Sequence, residues 1–316
     1  MRCDVHAHLC PADVPDFADR FSDAAWPVVT HSDTGSAIER AGAVYRRVDA
    51  RYWGLPERLR FLDEVAVDVQ VVSPLPVLLP YWAPPAEATV VSRWLNEATA
   101  AYVARQSDRL IGFGTVAAHD GAGVEAALDQ IVELGLAGVE IGSTYGGLEL
   151  GAPELRPFFH AAAARDLPVL LHPLEGAGLG RLTETATRFS VGVLTDTALA
   201  ATSLALSGAL DDVPDLRLCL SHGGGGFFWT LPRLRGIVDA ERAARLARLQ
   251  ARVWVDSASV SVEQLGYLGG LVPSGKILLG SDFPATGNGD PMAALAAVGE
   301  PDEATLQRAT HEFLRR

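Results

Sequence analysis

The chain is poor in cysteine, poor in positive charge and without a long apolar run. Its three cysteines, Cys3, Cys10 and Cys219, are odd in number and show no CxxC spacing. That pattern argues against a disulfide framework or a cysteine zinc site and for a reducing, cytoplasmic setting. Lys and Arg total 26 against 39 Asp and Glu, for a net charge of −13. So acidic a chain is a poor fit for wrapping nucleic acid or docking on anionic lipid, and neither partner is expected. No run of about 20 apolar residues occurs, so no membrane span is expected. The opening MRCDVHAHLC has no apolar stretch of the secretory kind. Lysine occurs once, at Lys276.

What is present is a globular composition, 48% apolar and 21% charged over 316 residues. Length alone allows two domains, but an α/β barrel uses about 250 residues or more as one. Short apolar, β-branched runs recur at Arg2–Val5, Val67–Ser73, Leu110–Val116, Gly138–Ile141, Pro168–Leu171, Leu216–Leu220, Arg252–Val255 and Lys276–Leu279. Ala-rich amphipathic stretches lie between or after them, near 90–106, 122–135, 154–165, 195–209, 228–249, 261–271 and 291–298. Near-continuous apolar strands alternating with helices indicate a parallel sheet covered on both faces. Eight such units predict a (β/α)8 TIM barrel spanning 1–316. An open doubly wound sheet is the alternative, but no GxGxxG follows the first strand.

One connection is far too long. About fifty residues separate strand 1 from its helix near Arg58, and loops of that length usually carry structure or function. Pro27–Thr30, Ala37–Glu39 and Val44–Val48 read as short strands, with turns at Ser32–Gly35 and Ala41–Gly42. A small β insertion within 10–57, lidding one end of the barrel, is expected.

Barrel chemistry sits at the C-terminal ends of strands. Strand 1 ends in Asp4-Val5-His6-Ala7-His8. Side chains alternate along a strand, so the two imidazoles face one way, about 7 Å apart at the backbone, and can close on one metal ion. Strand 5 ends in His172, strand 6 in Ser221-His222, and strand 8 in Ser281-Asp282. Four of the eight histidines and a carboxylate thus fall at one rim. The other four, His31, His119, His160 and His311, fall in loops or helices and read as surface residues. Three imidazoles and a carboxylate suit zinc with a position left for water, although manganese or iron fits the same donors. His222 is either a further ligand or an acid/base beside the metal, and an imidazole can fill either role near neutral pH.

These residues resemble the metal site of the amidohydrolase superfamily. The words HPLEGAG, LCLSHGGGGFFWTLPRL, WVDSA and ILLGSDFP, with VYRRVDARYW in the insertion, resemble its decarboxylase group. The likeness is greatest to the α-amino-β-carboxymuconate-ε-semialdehyde (ACMS) decarboxylase branch and covers nearly the whole chain. The resemblance implies that His6, His8, His172 and Asp282 hold the metal and that His222 and Asp282 take part in catalysis. It also implies that Arg46 binds a substrate carboxylate from the lid, and that Arg233 reaches into the neighbouring site of a homodimer. Many hydrolases of the superfamily bridge two metals with a carbamylated lysine after strand 4. The single lysine here precedes strand 8, so that bridge is ruled out.

Strand 4 instead carries Glu140, where the decarboxylases tend to have Gln. It can bridge a second metal, or accept a hydrogen bond from a ligand histidine. Two further departures are Leu194-Thr195-Asp196-Thr197 in place of Pro-x-Glu-Thr, and Arg308-Ala309-Thr310 in place of Gly-Asn-Ala. Gly223–Gly226 is read as a steric allowance beside His222 rather than a phosphate cradle. Arg233 shares its region with Arg235, Arg242, Arg245 and Arg248, for which solvent exposure is the plain expectation. Tyr81, Trp82, Phe189 and Phe283 lie near rim loops, where core packing competes with substrate contact. Trp53 and Phe283 are taken as substrate-contacting.

The expected activity is metal-dependent, non-oxidative decarboxylation of a small unsaturated or aromatic carboxylic acid. The alternative is hydrolysis of an amide or lactone on the same site. Two arginines placed to hold carboxylates favour the decarboxylase, since hydrolysis requires neither.

Overall fold

In a computed structural model of the protein, residues 1–32, 35–117, 121–174, 182–273, 275–285 and 303–315 are described. All eight apolar runs form strands of one parallel sheet. They are β1 (Cys3–Leu9), β5 (Val69–Pro74), β6 (Leu110–Gly114), β7 (Gly138–Gly142), β10 (Val169–His172), β11 (Leu218–Leu220), β12 (Trp254–Asp256) and β13 (Ile277–Leu278), adjacent in that order. The sheet closes on itself just past β13. Val5 N–H donates to the Leu279 carbonyl at 2.8 Å, Asp282 N–H to His6 at 2.8 Å, and His8 N–H to Phe283 at 2.7 Å. The closed sheet is a TIM barrel, as the alternation of apolar runs and helices predicts.

The barrel interior is packed. Cys3, Val5, Val71, Phe113, Leu170 and Cys219 form a layer that Trp254 and Leu278 complete. Phe313 and Leu314, from the last helix, Glu303–Leu314, plug its N-terminal end. Leu218 and Leu220, on the other face of β11, pack outward against the helices. One irregularity matters for function. The register between β1 and β5 shifts between Asp4 and Ala7. An extra residue there reverses the in/out parity of the strand. Cys3 and Val5 therefore face inward with the packed layer, and after the bulge His6 and His8 face inward too.

The insertion is an antiparallel sheet of β2 (Val28–Ser32), β3 (Gly35–Arg40) and β4 (Ala43–Val48). Its apolar side, with Phe17, Trp26, Ile38 and Tyr52, packs on Leu75, Val77 and Leu78 in the segment after β5. The pairing of β8 (Thr144–Tyr145) with β9 (Leu148–Glu149) adds a small hairpin after β7.

The helical stretch expected at 228–249 is two helices, Phe227–Ile237 and Ala240–Arg252. Val238 is extended, and the Asp239 carboxylate caps the second helix by accepting from Arg242 N–H at 2.8 Å. The helix Thr185–Ser207 is long and apolar enough to cross a bilayer by composition. It packs against the barrel through Ala200, Ala201 and Leu204, as a core helix does. The stretch expected at 291–298 lies outside the described residues.

Candidate metal centre

The inward turn of β1 brings His6 and His8 to the end of the barrel where β10 delivers His172 and the segment after β13 delivers Asp282. All four side chains are buried, and one donor atom from each lies within 4.8 Å of the others. The Nε2 atoms of His6 and His8 are 3.1 Å apart. Two nitrogens on one tetrahedral zinc would be separated by about 3.3 Å, given Zn–N bonds near 2.05 Å. Asp282 Oδ1 is 3.1 Å from His8 Nε2 and 3.7 Å from His6 Nε2. Among the described residues no side chain satisfies His172 Nε2, which is buried. A buried lone pair of this kind is costly unless a cation takes it.

The protonation states fit the same conclusion. Burial pushes the His8 imidazole down to about 4, and pushes that of His172 well below the ordinary range, so both present free lone pairs. Burial opposes charge on Asp282, but the neighbouring His222, His8 and His6 hold it well below the usual carboxylate range. Burial also opposes charge on His6, yet the Asp256 carboxylate more than offsets this and raises it to about 9, so a cation binding its Nε2 must displace a proton there. The residues present therefore fit one divalent cation.

Asp256, at the end of β12, organises this cluster. Its Oδ2 accepts from His6 Nδ1 at 2.7 Å, which leaves Nε2 to face the cluster. Its Oδ1 accepts the backbone N–H of His222 at 2.8 Å and that of Ala258 at 3.1 Å. Asp256 lies in the word WVDSA, and an acid at a strand's C-terminal end is the sequence signal that points to it. Asp196 stands in the departing segment Leu194-Thr195-Asp196-Thr197. It accepts Ser143 Oγ at 2.5 Å and Leu174 N–H at 2.7 Å, fixing the chain just after His172.

His222 stands beside the cluster, with Nε2 3.6 Å from Asp282 Oδ2. Both residues hold left-handed backbone, with φ of 54° for His222 and 56° for Asp282. Such conformations cost about 1–3 kcal/mol each and concentrate at functional sites. The glycines after His222 serve close approach: a Cβ on Gly225 would lie 2.2 Å from the Leu194 carbonyl. Glu140 is buried behind His8, its Oε1 3.9 Å from His8 Nδ1. It is not among the four clustered donors. Burial raises its pKa to about 8.

A cavity of about 290 Å³ opens over the cluster, lined by His8, His172, His222 and Asp282 below. Leu75, Val77, Val193 and Leu194 give it apolar walls, and Tyr45, Arg46 and Phe189 lie on it as well. The Arg46 guanidinium sits 4.7 Å over the Phe189 ring. Phe189 thus faces the cavity, where core packing was the plainer expectation. Trp53 and Phe283 are not in the lining. Trp53 packs edge-on to His31 at 5.3 Å, and Phe283 stacks on Phe61 at 4.2 Å beneath Arg58. Their side chains fill the interfaces of the insertion and of helix Leu55–Glu64, so the contact expected of them is not present. Tyr81 is buried with its ring tilted against that of Tyr145, and Trp82 lies under Arg40. Arg233 is exposed on helix Phe227–Ile237, outside its own chain's cavity. His31, His160 and His311 are exposed, and His119 lies outside the described residues.

The amidohydrolase family pattern matches residues 3–312. The chain belongs to the amidohydrolase family. A 2-amino-3-carboxymuconate-6-semialdehyde decarboxylase of Dictyostelium discoideum is 30% identical over 90% of this chain and 82% of its own length. Among solved structures, 5-carboxyvanillate decarboxylase of Sphingomonas paucimobilis superposes with a TM-score of 0.81 at 19% identity, covering 99% of this chain and 98% of the other. A 5-carboxyvanillate decarboxylase from Novosphingobium aromaticivorans, solved with bound manganese, gives 0.80 at 18% identity over 100% and 97%. These superpositions show that this amidohydrolase shares their fold.

Proposed function

We propose that this amidohydrolase is a metal-dependent, non-oxidative decarboxylase of a small unsaturated or aromatic carboxylic acid. The observation that carries the reading is Arg46, the one Arg or Lys among the described residues lining a largely apolar cavity whose floor is the histidine–aspartate cluster. The names of the relatives agree with it. The cavity is at the small end of the range for ligand sites, which suits a one-ring or short unsaturated acid.

We assign the metal to His6, His8, His172 and Asp282, with zinc as the resident ion and manganese, seen in a relative, as the alternative. When bound, a divalent cation supplies a Lewis acid against which the acid's oxygens are polarised. Arg46 binds a carboxylate through two parallel charge-assisted hydrogen bonds. Phe189 and the aliphatic walls hold the flat skeleton and exclude water, which strengthens those bonds. Loss of CO2 breaks one C–C bond and leaves its electron pair on carbon, where a proton must arrive. His222 is placed to carry that proton on Nε2, and Asp256 fixes its backbone. The insertion acts as the lid that contributes Tyr45 and Arg46.

We further assign a homodimer, with Arg233 reaching the partner's site. Arg233 shares its helix with Trp229 and Ile237, which are 76% and 73% exposed. A cytoplasmic location fits the three free, buried thiols.

Arg46 separates this reading from hydrolysis. Arg46→Ala should lower kcat/KM for the best acid substrate by more than about a hundredfold, the equivalent of roughly 3 kcal/mol. Arg46→Lys should restore only part of it. Unchanged activity in Arg46→Ala, or faster turnover of the matching ester or amide than of the acid, would favour the hydrolase.

A further inference from the structure

The opposite end of the barrel carries a second concave site. Residues that lead into parallel strands gather at the N-terminal end, away from the metal cluster. Arg217, Arg252 and Lys276 precede β11, β12 and β13, and all three line a groove of about 600 Å³. His311 and Arg315 of the C-terminal segment add to it, while Asp215 and Glu312 are the acids on its lining. Such a cluster stands out in a chain of net charge −13.

The pairing within the groove is uneven. Arg217 and Arg315 share Asp166, at 2.8 Å and 2.6 Å. Arg252 and Lys276 form no ion pair with a carboxylate among the described residues. Arg252 spends its guanidinium on the carbonyls of Leu210 at 2.7 Å, Leu216 at 3.3 Å and Val213. Those bonds fix its position, and the carboxylates of Asp211 and Asp215 act on its charge only from beyond ion-pair distance. The Lys276 ammonium lies 3.2 Å from the centroid of the Trp254 ring. Burial lowers the Lys276 pKa, and the charge of Arg252 lowers it further against the pull of Glu312. The Trp254 indole N–H, also buried, has no hydrogen-bond partner among the described residues. Two cations with no carboxylate at ion-pair distance among the described residues, on one concave surface, are the complement of an anion with several acceptor atoms.

We propose that this groove binds a phosphoryl oxyanion, either inorganic phosphate or a phosphate monoester, between Lys276 and Arg252. The site is remote from the chemistry and independent of the activity assigned above. A tetrahedral oxyanion can accept from the ammonium and from the guanidinium N–H that the three carbonyls leave free, and the open groove admits an ester substituent.

The single lysine makes the test clean, because Lys276 and the Met1 amine are the only primary amines in the sequence. The full-length protein is treated with an amine-acylating reagent, and both sites are followed by peptide mass spectrometry. Phosphate at roughly ten times its Kd should slow acylation of Lys276 by about tenfold and leave Met1 unaffected. Adenosine 5′-monophosphate is the second arm. Protection by both at similar concentrations identifies the phosphoryl group alone as the recognised element. Protection by the nucleotide at lower concentration identifies a monoester site. Phosphate should also raise the Tm of the wild type and not that of Lys276→Met. Absence of protection, equal protection by chloride at matched ionic strength, or the same Tm rise in Lys276→Met would overturn the proposal.

Discussion

Replacing Asp256 by Asn tests how the cluster is held, with almost no change of shape. Both carboxylate oxygens accept: Oδ2 from His6 Nδ1 at 2.7 Å, and Oδ1 from the backbone N–H groups of His222 at 2.8 Å and Ala258 at 3.1 Å. An amide has one acceptor oxygen, so in either orientation its NH2 faces a donor. If the oxygen stays with the backbone, His6 can pair with the NH2 only by moving its proton from Nδ1 to Nε2. That removes the lone pair from the metal position. If the oxygen turns to His6, the left-handed backbone at His222 loses its anchor. Removing an outer partner of a ligand histidine typically costs 10–100-fold in metal affinity, or about 1.4–2.7 kcal/mol. Chelator competition would give the Kd for zinc and manganese in wild type and Asp256→Asn, with circular dichroism confirming that both are folded. Affinity unchanged within about twofold would refute the role given to Asp256.

His222→Ala should keep the metal and lose turnover by roughly 10²–10⁴-fold; loss of the metal on elemental analysis would make His222 a ligand instead. Gly225→Ala places a methyl 2.2 Å from the Leu194 carbonyl at a φ of +57°. It should cost about 2–4 kcal/mol of stability, read as a lower denaturant midpoint, and an unchanged midpoint would contradict the close approach. Sedimentation should find a dimer, with Arg233→Ala dimeric but weakened in KM; a wild-type monomer fully active at nanomolar concentration would exclude a role for Arg233 across the interface.

The barrel was legible because its strands are buried on both faces and read as apolar runs with helices between. The cluster was legible because chemistry in a barrel collects at strand ends, which made His6, His8, His172 and Asp282 converge on paper before they converge in space. The bulge in β1 was not legible. Alternation placed His6 and His8 on one face correctly, but Val5 faces inward as well, and only the register shift after Asp4 reconciles the two. The break at Val238 was hidden because helical periodicity resumes at once beyond the Asp239 cap. Trp53 and Phe283 show the limit for aromatics: nearness to a rim in sequence does not decide which way a ring points. Phe189 faces the cavity and Phe283 packs on Phe61 for reasons of tertiary packing alone.

The most direct measurement is CO2 release from a panel of unsaturated and phenolic carboxylic acids, with the metal-loaded protein, the chelator-stripped protein and the protein reloaded with zinc or manganese. At least one acid should yield CO2 without any added oxidant. The activity should vanish on stripping and return on reloading. Esters, amides or lactones turned over by the loaded protein while no acid on the panel releases CO2 would contradict decarboxylation and leave the same cluster serving a hydrolase.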